Sequence, residues 1–329
     1  MHDWSNIVDT FPLTVAQIFK QYTRLPADAG DVYYHYTTHE GLEGILRSGG
    51  LRARYRMGMN DPGEFSYARD VIYEELDNIG SRDDLRSYAK SLIIYTRKNL
   101  DKFLLDTTEM SRAFCACLTI SPDDPNQWEN YAGDGKGFAI GFNLYQLLKS
   151  QVMADLRGEP FILWAPVTYD EREQHDLVWR LVDAGICDLQ TFKETRSQTI
   201  EDLTALRNRV TQEIVVQLLT LIDFIKAPTY SNEREMRLTL DPNDGTLKAH
   251  NIQYYENDNE SIPFIFMDFR DPKMGRMPLV DIKIGPKAEF PKEKTYVENL
   301  LDELGYGMNC GDRPEITKSA AILSGSQGS

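Results

Sequence analysis

The longest helical pattern in the chain, residues 171–226, ends before Pro228 and has short β-branched and aromatic segments on both sides of it. A chain with early strands, a helical block and late strands does not wind as an alternating β/α series. It segregates its layers, and the fold class is α+β. The 329 residues exceed what one compact core needs. No linker divides them, so the reading is one elaborated core with a helical insertion. Residues 1–30 read as an N-terminal helical extension, 31–305 as the main domain with its insertion at about 171–226, and 306–329 as a C-terminal strand and disordered tail.

Strand segments are expected at DVYYHYT (31–37), LRARYRM, RAFCACLTI (112–120), GKGFAIGF, 159–169, EREMRLTL and PLVDIKIG, with a hairpin over 248–268. Helices are expected over 13–24, after Thr38, twice within 63–106, just after SPDDPNQ, over 143–156 and over 292–304. Thr38 sits where an N-cap belongs, and Gly49–Gly50 ends the helix that follows. The small, polar stretch SAAILSGSQGS reads as disordered.

A net charge of −15 repels phosphate backbones, which argues against broad electrostatic binding of nucleic acid. Arg47, Arg52, Arg54 and Arg56 crowd one short stretch, as a solvated face or as a local phosphate-facing groove. Four sparse cysteines imply neither a disulfide framework nor a four-cysteine zinc site. The N-terminus lacks the order of a signal peptide, and no apolar run has membrane-spanning length, so a cytoplasmic setting without membrane contact is expected.

Three constellations could carry chemistry. In Tyr34-His35-Tyr36-Thr37-Thr38, a strand end meets a helix N-terminus, so His35 and the threonine hydroxyls lie beside free N–H groups that suit a ribose or phosphate. A structural strand histidine explains the same residue, and the strand-to-helix break separates His35 from His39 as a metal pair. In Trp128-Glu129-Asn130-Tyr131, the two aromatics share a helical face that could stack on a flat heterocycle or pack in the core. In Asn232-Glu233-Arg234-Glu235-Met236-Arg237, strand alternation puts Glu233, Glu235 and Arg237 on one face. Two carboxylates so placed repel unless solvent, a cation or a ligand lies between them, and they suit chemistry at an N-glycosidic ribose centre. A solvated edge strand fits the same charges. A fourth motif, Asp281-Ile282-Lys283, has the Asp-x-Lys form of metal-dependent nucleases but no evident upstream acid.

Taken in order, HYTTHEGLEGIL, MNDPGEF, CLTIS, W-ENYA with GKGFAIGF, and IKAPTYSNEREMR resemble the bacterial family catalogued as domain of unknown function twenty-nine seventy-one, over roughly residues 31–300. The opening segment resembles DarT-type DNA ADP-ribosyltransferases. The whole order resembles the His-Tyr-Glu branch of the ADP-ribosyltransferase superfamily. The resemblance implies a split mixed β-sheet with an NAD cleft and helical insertions. It implies NAD as substrate, no metal, and transfer of ADP-ribose to an unidentified protein, DNA or RNA, in a toxin or phage-defence effector with an antitoxin or regulatory partner. It makes Glu235 the catalytic glutamate and gives Glu233 the acceptor. His35 would contact the ribose and Tyr131 the nicotinamide, with Tyr36, Thr37, Asn60, Asp61, Trp128 and Arg237 around the dinucleotide. The chain departs from the family where serines are usual, reading Cys115-Ala116-Cys117, and has Tyr230 at a position usually held by Trp. A nucleotide-binding module without turnover and a nuclease centred on Asp281 and Lys283 are the alternatives.

Overall fold

A strand has two edges, and the architecture follows from how one strand shares them. The computed structural model describes residues 32–55, 62–105, 114–147, 162–195, 199–240, 252–257, 260–307 and 313–323. Strand β3 (Phe114–Thr119) gives one edge along its full length to antiparallel β6 (Glu235–Leu240), which also pairs with β5 (Ile162–Pro166). Its other edge is divided. Thr119 meets Tyr34 of β1 (Val32–Thr37), while Cys115 and Phe114 meet Arg54 and Tyr55 of β2 (Gly50–Tyr55). Two arms leave this fork. One runs from β1 through β4 (Phe138–Asn143) and β9 (Leu279–Ile284) to β10 (Glu315–Lys318). The other runs from β2 through β8 (Glu260–Asp268) to β7 (Ile252–Asn257). Among the strands of the described residues, β9 and β10 alone pair in parallel, so the sheet is mixed.

The arms separate because β1 and β2 are joined by a helix. Thr38 accepts a hydrogen bond from Gly41 N at 3.2 Å and caps α1 (His39–Ser48), as its position in the sequence predicts. Gly49 ends the helix with φ 73°, a left-handed conformation that glycine adopts without steric cost. Leu42, Ile45 and Leu46 of α1 bury in the main core with Val297, Leu300 and Leu301 of α7 (Phe290–Glu303). Phe114, Ala116 and Leu118 of β3, with Met236, Leu238 and Leu240 of β6, join that core from the sheet.

A smaller cluster lies where α4 (Pro125–Tyr131) covers β1, with Tyr36, Trp128, Ala132, Ala139 and Leu323 packed together. The tail expected to be disordered corrects here. Ser319 N donates to Ile284 O at 2.8 Å, Ala320 N donates to Asp123 Oδ2 at 2.7 Å, and Leu323 is buried. The composition is small and polar, but one carboxylate and one apolar side chain hold this stretch in place. Residues 324–329 lie outside the described set, as do the helix expected over 13–24 and most of the one over 143–156.

The described residues assort into two compact units, and the strands belong to one of them. The other is helical, with α2 (Pro62–Gly80), α3 (Ser87–Leu105), α5 (Glu171–Thr195) and α6 (Ile200–Leu221). Thr199 and Asp202 form a capping box that starts α6. Gly185 lets α5 approach α6, since a Cβ there would fall 2.6 Å from Ile214 Cδ1. Gln174, fully buried, donates to the carbonyls of Thr168 and Lys226 at 2.7 and 2.8 Å and ties α5 to the segments beside it. Among the described residues, no helix is long and apolar enough to cross a membrane.

In the β1 arm, Tyr34, Gly141, Asp281 and Glu315 stand in one transverse row. Tyr34 reaches over Gly141 to hydrogen-bond Asp281. Burial first, then the charge of Asp281, pushes the phenol up to about 12. A Cβ at Gly141 would lie 2.0 Å from Asp281 Oδ1 and 3.0 Å from Tyr34 Cε1. Gly141→Val is therefore expected to overpack the row and lower stability by about 1–3 kcal/mol, read as a fall in melting temperature.

Candidate functional site

The trunk strands β3 and β6 have opposite chemistry on their two faces. One face carries the apolar residues of the core. On the other, Cys115, Cys117 and Thr119 stand opposite Thr239, Arg237 and Glu235. Glu235 is 8% exposed and Arg237 2%, and Arg237 Nη2 donates to Glu235 Oε2 at 2.8 Å. Two buried charges at this spacing hold each other, because neither could be desolvated alone without a large cost.

The expected face of two glutamates and an arginine is corrected at its first member. Glu233 closes a 3-10 turn over Pro228–Glu233, and Arg234 has φ 46°. That left-handed residue breaks the strand alternation, so Glu233 and Glu235 do not share a strand face. The turn is pinned from β3: Thr119 Oγ1 donates to Glu233 O at 2.7 Å and accepts from Ser121 N at 3.1 Å. The charge that contacts Glu235 from the strand face is the cation of Arg237.

His35 meets this cluster through the backbone. Cys117 lies between the two junctions of the fork, where neither β1 nor β2 pairs with it, and His35 Nδ1 stands 3.0 Å from its carbonyl oxygen. A carbonyl only accepts, so Nδ1 carries the proton and the neutral ring keeps Nε2 as an acceptor. By register, Tyr34 shares the face of Thr119, which assigns His35 to the opposite face. Its Nδ1 nevertheless reaches the carbonyl of Cys117. Burial lowers the His35 pKa below its ordinary 6.5, against the weaker upward pull of the Cys117 carbonyl.

The neighbouring candidates divide between structure and surface. Tyr36 is buried, and its hydroxyl donates to Ser121 O at 2.9 Å and accepts from Asp124 N at 3.0 Å, so it fixes the loop before α4. Thr37 is buried, and its hydroxyl fills the space in front of Gly41. Trp128 is 0% exposed, packs edge-on against Tyr36 at 4.8 Å and donates from Nε1 to Asp123 Oδ1 at 2.7 Å. Its ring is core. Tyr131, three residues on, is 38% exposed, so the expected shared stacking face is split between interior and surface. Asn60 and Asp61 lie outside the described residues.

The structure therefore gathers Glu235, Arg237, Cys117 and Thr119 on one polar face and bonds His35 to the backbone of that cluster. Tyr131 is exposed at the end of α4, the helix that packs on the Tyr36 side of β1. Sequence reasoning missed the partnership of Glu235 with Arg237, although the i, i+2 spacing of opposite charges on a strand was its signal. Cys115 and Cys117 bring their sulfurs to 3.9 Å. The hydrogen bond shared with Cys115, then burial, pushes the Cys117 thiol well above its usual range and keeps it protonated. Asp281, the nuclease candidate, bonds Tyr34, and burial raises its pKa, while Lys283 Nζ donates to Thr317 Oγ1 at 3.2 Å. Among the described residues, no three His, Cys, Asp or Glu side chains converge as metal ligands would.

Residues 127–238 match a family described as a protein of unknown function, DUF2971. The matched span begins in α4 and ends inside β6, and so takes in Tyr131, Glu233, Glu235 and Arg237. No curated protein and no solved structure matches the chain.

The depressed pKa of His35 sets a sign for its effect on stability. Above 6.5 the ring is neutral in both folded and unfolded chains, and its contribution is intact. As pH falls below 6.5 toward the lowered folded value, the unfolded chain takes up the proton first and stability is lost. His35→Gln keeps a donor for the Cys117 carbonyl and removes the titration. Its melting temperature is expected to fall less steeply than the wild type's below pH 6.5, and parallel curves would refute the assignment.

Proposed function

We propose that this chain is an NAD-dependent ADP-ribosyltransferase that displaces nicotinamide and transfers ADP-ribose to a macromolecular acceptor, protein, DNA or RNA. The observation that carries the reading is Glu235, a buried carboxylate held by Arg237 on a polar strand face beside a forked sheet. Breaking the bond between nicotinamide and ribose builds positive charge on the sugar. A carboxylate already fixed in position stabilises that charge without reorganising at the moment of reaction. Arg237 serves as a positioning residue, because it sets the direction of the Glu235 oxygens. The free Nε2 of His35 suits a ribose hydroxyl, the exposed ring of Tyr131 suits the flat nicotinamide, and Glu233, outside the strand, suits the acceptor. The match of residues 127–238 to a family of unknown function takes in Tyr131, Glu233, Glu235 and Arg237, leaves out His35, and gives no activity.

The resemblance to the His-Tyr-Glu transferases supports a setting as a toxin or phage-defence effector. A nuclease centred on Asp281 and Lys283 fits less well, since Lys283 Nζ donates to Thr317 Oγ1 and, among the described residues, no cluster of acids stands ready to hold a metal beside Asp281. Catalysis that needed an added divalent cation would favour it. A nucleotide-binding module without turnover would bind NAD and release no nicotinamide.

The ion pair changes what a charge-removing substitution does. Glu235→Gln is expected to cut nicotinamide release by about 10²–10³. It also leaves Arg237 buried opposite a neutral amide, so melting temperature should fall rather than rise. Breaking such a pair costs about 3–5 kcal/mol, whereas replacing both members with apolar groups is often neutral. Glu235→Leu combined with Arg237→Met should therefore recover melting temperature without recovering turnover. Nicotinamide release that returns with stability in the double variant would remove Glu235 from the chemistry. Glu233→Gln should reduce transfer to acceptor more than NAD hydrolysis, and equal loss of both would mean that Glu233 serves the ribose itself.

A further inference from the structure

The second junction of the fork carries a cation with no acceptor for its Nε among the described residues. Arg54 of β2 stands in register with Cys115 of β3 and Phe264 of β8. Cross-strand partners point the same way, so Arg54 leaves the sheet on the face of Cys115, Cys117, Arg237 and Glu235. Its side chain is half-buried. Its Nε is shielded from solvent and meets no acceptor, and among the described residues no carboxylate pairs with the guanidinium. Arg52, two residues earlier on the same face, is exposed and lies 4.9 Å over Phe264 and 5.3 Å over Tyr255.

Charge on this face is therefore uneven. Arg237 is matched by Glu235, while the β2 side holds two guanidinium groups and no carboxylate on either of them. A shielded donor without an acceptor is costly, the more so when it is charged, so the site gains most from an anion supplied by a ligand. The planar guanidinium fork matches two oxygens of a phosphate. A chain of net charge −15 offers anions no general attraction, so local geometry must select this one.

We infer that Arg54 is the phosphate-holding residue of the site and binds the pyrophosphate of the dinucleotide. This rests on the proposed reaction for the identity of the ligand and not for the anion chemistry, which comes from Arg54 alone.

The test compares wild type, Arg54→Gln and Arg54→Lys by calorimetric titration with ADP-ribose, inorganic pyrophosphate and adenosine, with melting temperatures of the free proteins alongside. Wild type is expected to bind ADP-ribose. Arg54→Gln should weaken that binding about 10- to 100-fold, the scale of a hydrogen bond to a charged group, and leave adenosine affinity unchanged. Its melting temperature should hold or rise, because a shielded, unmatched charge is gone. Arg54→Lys keeps the charge without the fork and should recover the loss in part. The inference is overturned if wild type binds neither ADP-ribose nor pyrophosphate, if Arg54→Gln binds ADP-ribose like wild type, or if ADP-ribose and adenosine weaken together with a fall in melting temperature. Arg54-dependent binding of ADP-ribose by a protein that never releases nicotinamide would sustain the inference and sink the transferase reading. Release of nicotinamide with ADP-ribose affinity indifferent to Arg54 would do the reverse.

Discussion

Everything in the strand-bearing unit depends on β3 having one edge to divide between two arms. The pairing of β3 with β6 uses all six residues, so β1 and β2 can attach only at opposite ends of what remains. Cys117 falls in the interval, and its carbonyl would be a buried group without a donor if His35 did not reach it. A single histidine thus closes the hydrogen-bond account of the fork and receives a defined tautomer in return. The chemistry proposed for its other nitrogen follows from that structural duty and does not compete with it.

The same economy governs the trunk. One face of β3 and β6 is apolar and supplies the core, which leaves the opposite face to hold charge in a low-dielectric setting. Electrostatic interactions there are strong and preorganised, but each charge must be matched. Glu235 and Arg237 match each other. Arg54 reaches the edge of this face from the neighbouring arm unmatched, and that asymmetry separates a structural ion pair from a group that recruits a ligand.

The element order was legible in the sequence because strong local signals agreed with the final pairing. Thr38 and Gly49 bracket α1, and the aromatic run Val32–Thr37 and the apolar run Leu279–Ile284 are strands. What was not legible depends on geometry between distant residues. Strand alternation through Glu233 and Glu235 failed because Arg234 adopts positive φ, which nothing in its residue type announces. The Trp128–Tyr131 face failed because i, i+3 spacing places two residues on one side without saying where the interior ends. The order of residues 319–323 was missed because Asp123, which holds them, lies 196 residues away from Ser319 in the chain. Composition cannot register a contact at that range.

That last contact orders events in time. Trp128, Asp123 and Tyr36 belong to the first half of the chain, but the apolar lid on their cluster includes Leu323, and the strand flanking β4 is β9. A chain emerging from the ribosome has β1 and β4 long before it has either. Until β9 is synthesised the outer edge of β4 stands open, and until Ser319 and Ala320 follow Asp123 lacks two of its donors. Contacts of such long sequence separation form slowly. The arm that carries His35 would therefore reach its final form only after synthesis has passed β9, β10 and Leu323, so a nascent chain would carry a fork it could not yet brace.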